Sequence, residues 1–171
     1  MLERRSALAT AAPYASHVLQ MGEVRGFSLF QVAGSDKAVG GKLPKKTGLA
    51  LARDGHTIFR VGPRQFWFIG EEPPQFSTYC KVTPLSHSRT RIYLEGAPAR
   101  DVLAKGIPLD FHESAFTPGM FAQTGLHHTP LLVHCVGETR FELYAMRTFG
   151  LSVWDWLTDA ALEFTSLHDR P

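Results

Sequence analysis

Residues 48–70, GLALARDGHTIFRVGPRQFWFIG, limit the fold more than any other stretch of this chain. Asp54-Gly55 stands between two runs that read as strands, near 48–53 and 56–61. A two-residue hairpin turn needs positive φ at its centre, which Asp and Gly tolerate. Gly62-Pro63 then returns the chain into Phe66-Trp67-Phe68-Ile69, which is apolar on both faces. Such a run is either a central strand or a strand whose outer face meets another protein.

The same patterning recurs. Residues 22–32 read as one strand with an irregularity at Gly26, and 34–47 as a glycine- and lysine-rich loop. In Ser88–Leu94, Thr90, Ile92 and Leu94 share one face while Arg89, Arg91 and Tyr93 share the other. APARDVLAKG follows as a helix, with Pro98 in its first turn, Ala99, Val102 and Leu103 on its apolar face, Lys105 in its last turn and Gly106 as a left-handed stop. Strands are predicted near 119–124, 130–136 and over Arg140–Met146. A final helix spans about 152 to 166, opened by a capping-box-like Ser152/Asp155 pair with Leu151 closing over Trp156. Its apolar stripe is Val153, Trp154, Leu157, Ala161 and Phe164. Hairpins plus two separated helices predict an α+β fold with antiparallel or mixed sheets, not a doubly wound parallel sheet.

At 171 residues the chain makes one domain, or two packed lobes over about 1–84 and 85–171. Its apolar fraction of 44% supplies a core and excludes general disorder. No apolar run approaches the roughly 18–20 residues of a membrane span, and the first residues lack a signal-peptide pattern. Only two cysteines, Cys80 and Cys135, and no Asn at all point to a reducing, cytoplasmic setting. Net charge is +2, too small to suggest nucleic acid, but its distribution is uneven: +5 over 1–53, 0 over 54–137 and −3 over 138–171.

Motifs for chemistry are missing. Neither GxGxxG nor GxxxxGK[ST] occurs, so no Rossmann or P-loop phosphate site is expected. GGKLPKKTG, with Lys42, Lys45 and Lys46, is a solvated loop or an anion contact. His127, His128, His134 and Cys135 have no zinc-ligand spacing, and His134 and Cys135 point to opposite faces of their strand. No nucleophile elbow or papain-type cysteine is present. Glu71-Glu72 beside Pro73-Pro74 is a turn. Asp155, Asp159 and Glu163 line one helix stripe, a solvated face or a dock for a basic partner.

Several blocks carry a resemblance. LSHSRTRIYLEGAPARDVLAKGIPLDF (85–111) has a Ser-His-x-Arg-Thr element entering a strand, followed by an Ala-Arg-Asp-Val-Leu-Ala-Lys-Gly helix and Pro-Leu-Asp. ERRSAL (3–8), VGPRQFWFIG (61–70), FTPGMFAQTG (116–125) and FELYAMRTFGLSVWDWLTDAALEF (141–164) stand in the same order along the chain. Together they resemble the gamma subunit of heterotetrameric sarcosine oxidase. Residues 33–47 and 72–84 lie outside these blocks.

The resemblance implies a fold similar to the folate-binding domain of aminomethyltransferases. It also implies a subunit with no chemistry of its own, assembling with alpha, beta and delta subunits. The implied complex oxidatively demethylates sarcosine to glycine with FAD, FMN, NAD and tetrahydrofolate held elsewhere, and with zinc on delta. No catalytic, cofactor or metal residue is expected on this chain. The alternative is a stand-alone folate-binding protein, with Arg89, Arg91 and the lysine loop as a basic rim for the glutamate tail. For the partner interface, the expectation is that part of the set Trp67, Trp154 and Trp156, with Arg147 nearby, faces another subunit, and that Trp156 is the exposed one. The opposing expectation is that all three indoles are core.

Overall fold

The computed structural model describes residues 5–72 and 75–164. Along the chain run β1 (Tyr14–Ala15), β2 (Leu19–Glu23), β3 (Ser28–Ala33), α1 (Asp36–Val39), β4 (Ala50–Arg53), β5 (His56–Gly62), β6 (Gln65–Gly70) and β7 (Lys81–Pro84). They are followed by β8 (Arg89–Gly96), α2 (Ala99–Ala104), β9 (Phe121–Leu126), β10 (Thr129–Cys135), β11 (Arg140–Met146) and α3 (Gly150–Ala161). The strands form two antiparallel sheets, ordered β1-β2-β8-β11-β10-β9 and β4-β5-β6-β3-β7. The fold is α+β, as the patterning predicts.

Period-two alternation produces four layers. On the first sheet Ile92, Leu94, Phe141, Leu143, Val133 and Cys135 face α2 and α3, meeting Val102, Leu103, Val153 and Leu157. Its other face sends Leu132, Tyr144 and Phe121 against Leu29, Phe59, Trp67 and Ile69 of the second sheet. The far side of the second sheet, Val32, Ile58, Phe66 and Phe68, is covered by Val39 of α1 and by Cys80. Strand β6 is therefore central, its two apolar faces serving two different cores. At one corner the sheets are zipped by backbone, with Ala50 N donating to Gly119 O at 2.7 Å and Phe121 N to Gly48 O at 2.9 Å.

The Asp54-Gly55 hairpin forms as read, both residues at positive φ (50° and 75°). Three expectations need correction. Residues 22–32 are not one strand. The chain turns at Gly26 (φ 75°), leaving β2 in the first sheet and entering β3 in the second. The last helix starts earlier, at Gly150, out of a 3-10 turn over Arg147–Phe149, and Phe149 caps it without a side-chain bond. Ser152 is thus inside the helix and the capping box does not form. Gly106 follows α2 without positive φ, so it is no left-handed stop. Its requirement is steric: a Cβ there would run into the indole of Trp156 and the Leu126 side chain.

Candidate functional site

The same alternation gathers a cluster of polar side chains into the seam between the sheets, while buried Thr90 lies on the opposite face, against Gly150. Arg89 and Arg91 from β8, His134 from β10, and Glu142 and Tyr144 from β11 all point there. Glu142 is buried, yet ionic: Arg91 donates through Nε to Oε2 at 3.1 Å and through Nη2 to both oxygens at 2.8 Å. Tyr144 donates its hydroxyl to Glu142 Oε2 at 2.9 Å. Burial, reinforced by the neighbouring carboxylate, pushes the Tyr144 phenol well above its ordinary range, so it stays a donor. Burial lowers His134 to about 4, with Arg91 acting the same way and Glu142 against it. Neutral His134 packs edge-on to Phe59 at 4.9 Å, and its Nδ1 has no hydrogen-bond partner.

This arrangement leaves Glu142 poorly placed to act as a general base. A general base must reach the proton it abstracts, whereas both Glu142 oxygens already accept bonds and the residue is 4% exposed. A cleft of about 600 Å³ opens beside Arg91 and Phe27, with Asp54, Glu71 and Glu72 on its wall. Its arginines are already paired, Arg91 with Glu142 and Arg25 with Glu23 at 2.7 Å. The two ring nitrogens of His56 face the carbonyls of Asp54 and Glu72 at 2.8 and 2.7 Å.

Past Trp67 the seam opens again, into a groove of about 320 Å³ lined by Trp67, Arg89, Leu132, Tyr144 and Met146. The Arg89 guanidinium lies 5.3 Å from the Trp67 ring. Among the described residues its Nη1 donates to the Ser88 carbonyl at 3.3 Å and the Ser88 hydroxyl at 3.4 Å. Desolvation holds its pKa below the usual arginine range. Met146 stands directly opposite Arg89 in register, and Met146, Phe149 and Leu151 are each about 40% exposed.

The four residues expected at an interface occupy separate places. Trp67 is buried in the seam, its Nε1 donating to Gln31 Oε1 at 3.2 Å. Trp154 is buried between α3 and the first sheet. Trp156 is half-buried on that same side, its ring edge-on to His127 at 5.8 Å. Arg147 is exposed and donates to the Arg5 carbonyl. The structure does not bring them together, because Trp67 and Trp156 lie on opposite faces of the first sheet. Arg89 and Met146 were missed as a pair. Their alternation was legible, but not the Trp67 face they meet.

Other sequence candidates resolve simply. His134 and Cys135 do face opposite sides, His134 into the seam and Cys135 toward the helices. Burial raises the Cys135 thiol against an opposing pull from Arg100. On the acidic stripe Glu163 pairs with Lys105 at 2.5 Å, while Asp155 and Asp159 are exposed. The lysine loop packs its Leu43 on the outer side of the second sheet. Among the described residues no three His, Cys, Asp or Glu are grouped to hold a metal ion, and no helix is long and apolar enough to cross a membrane.

The fold of two packed antiparallel sheets flanked by helices is similar to that of a solved aminomethyltransferase. The glycine cleavage system aminomethyltransferase T from Bartonella henselae is similar with TM-score 0.58 at 14% identity, over 83% of this chain and 46% of that one. The fold class is therefore aminomethyltransferase-like. A family model described as "Sarcosine oxidase, gamma subunit family" matches residues 26–163, and the chain belongs to that family. It is similar to a chain of heterotetrameric sarcosine oxidase from Corynebacterium sp. U-96, with TM-score 0.82 at 26% identity, over 95% of this chain and 97% of that one. No curated protein matches the chain.

Proposed function

We propose that this chain is a structural subunit of a sarcosine-oxidising heterotetramer, supporting alpha, beta and delta subunits that carry the chemistry. The end-to-end likeness to a chain of heterotetrameric sarcosine oxidase carries this reading. FAD, FMN, NAD and tetrahydrofolate are assigned to the other subunits. What supports this is the cleft beside Arg91: phosphates or a glutamate tail would meet Asp54, Glu71 and Glu72, while both arginines are already neutralised. The cleft does not fit a polyanionic cofactor. The stand-alone folate reading loses two parts of its rim, since Arg91 is held by Glu142 and the lysine loop lies beyond the second sheet, and keeps only Arg89.

Co-expression of the full chain with the flavin-bearing subunits tests the proposal. The expected result is a complex with flavin absorbance and sarcosine-dependent oxygen uptake, and a colourless chain when this subunit is purified alone. Stoichiometric flavin on the isolated chain, or no association at all, would overturn it.

A further inference from the structure

The groove past Trp67 holds a cation that nothing among the described residues neutralises. Arg89 is half-buried and stacked over an indole, and among the described residues no carboxylate pairs with it. Its neighbour Arg91 has the full complement that Arg89 lacks, a carboxylate and two aromatic rings, Phe27 and Tyr144, each at 5.5 Å. A guanidinium removed from water calls for an anion with planar, two-oxygen geometry. The groove's walls, Trp67, Leu132 and Met146, suit an apolar stem leading to that anion. At about 320 Å³ it is at the floor of small-molecule sites, which run to about 300–1,000 Å³. Met146 of its lining is exposed, and directly after it in sequence Arg147, Phe149 and Leu151 are exposed as well. Trp and Arg together are the residues most enriched where binding energy concentrates.

We propose that this groove receives an acidic side chain, Glu or Asp, from a partner subunit of the oxidase, its carboxylate pairing with Arg89 while neighbouring apolar groups of the same partner cover Met146 and Phe149. The inference rests on the reading of the chain as a subunit and adds where docking occurs and what chemistry the partner presents.

The test is affinity of the full chain for its partner subunits, by titration of the remaining complex. Arg89→Met keeps the stem and removes the charge, and is expected to weaken assembly at least tenfold. Because Arg89 variants risk misfolding, Met146→Glu supplies a carboxylate from an exposed position and is expected to block docking similarly, while Met146→Leu retains it. Circular dichroism and melting of each free variant should match the parent chain. Unchanged assembly with both Arg89→Met and Met146→Glu would overturn the docking site and leave the subunit reading standing. Failure of the parent chain to assemble would overturn both. Quenching of tryptophan emission by free glutarate in the uncomplexed chain, lost in Arg89→Met, would assign the groove to a small carboxylate and overturn the partner as its occupant.

Discussion

Arg91 and Glu142 sit on neighbouring strands in the seam between the two sheets, with Arg91 Nη2 at 2.8 Å from both carboxylate oxygens. The pair is diagonal in register, since Arg91 stands opposite Tyr144. That offset lets the phenol donate to the same carboxylate. Removing one member leaves a buried charge uncompensated. Glu142→Ala or Arg91→Ala is expected to destabilise the chain by about 3–5 kcal/mol. The double replacement Arg91→Met/Glu142→Leu should recover most of that, because packed apolar groups can substitute for a buried ion pair. Urea unfolding of the four proteins checks this, and a double variant no better than the singles would contradict it.

His134 makes stability depend on pH. Its folded value, about 4, lies below the unfolded value of 6.5 because burial disfavours the charged ring. Unfolded chains therefore bind a proton that folded chains refuse between those limits. The contribution is fully present above pH 6.5 and is lost as pH falls toward 4, amounting to on the order of 3 kcal/mol. The charged groups acting on the ring are Glu142, which stands opposite His134 in register, and Arg91. Urea midpoints at pH 7, 5.5 and 4.5 should fall less steeply in His134→Gln. Parallel losses in the two proteins would count against the argument.

Trp156 and Gly106 behave as one packing unit, since the indole occupies the space a Cβ on residue 106 would need. Gly106→Ala should destabilise by about 1–3 kcal/mol through overpacking and alter the tryptophan emission. Introduced into Trp156→Ala, the same change should cost clearly less, with only the Leu126 side chain left to shift, because residues in contact couple. Additive effects would show that the contact is not what constrains Gly106.

Cys135 should be slow to react. Burial raises its thiol and its Sγ lies 3.3 Å from the Gly137 carbonyl, so the reactive thiolate is scarce and enclosed. Alkylation by iodoacetamide at pH 8 should track unfolding. Rapid labelling of the native chain at Cys135 would exclude this environment.

Much of the fold was legible in short-range pattern. Asp54-Gly55 specified its hairpin because the turn demands positive φ at both centres. Thr90, Ile92 and Leu94 on one face and Arg89 and Arg91 on the other specified which side of β8 would meet helices. The misreadings all arose where a distant element decides. Gly26 reads as an irregularity within a strand, because the sequence nowhere states that β2 and β3 belong to different sheets. Ser152 reads as a cap, because the 3-10 turn entering α3 depends on Arg147 N bonding to the Ser88 carbonyl at 2.9 Å.

The sequence by itself determined the antiparallel hairpins, the helix faces, the family blocks and the lack of a phosphate or metal motif, since each depends on residues a few positions apart. Only the tertiary structure decided what the polar faces do. Arg89 and Arg91 are two residues apart with the same alternation and the same chemistry. One finds Glu142, fifty-one positions away on an adjacent strand, and becomes a buried structural pair. The other meets Trp67 across the sheet-to-sheet gap and finds no carboxylate among the described residues. Charge pairing is set by which strands neighbour one another, and strand order is a property of the closed fold.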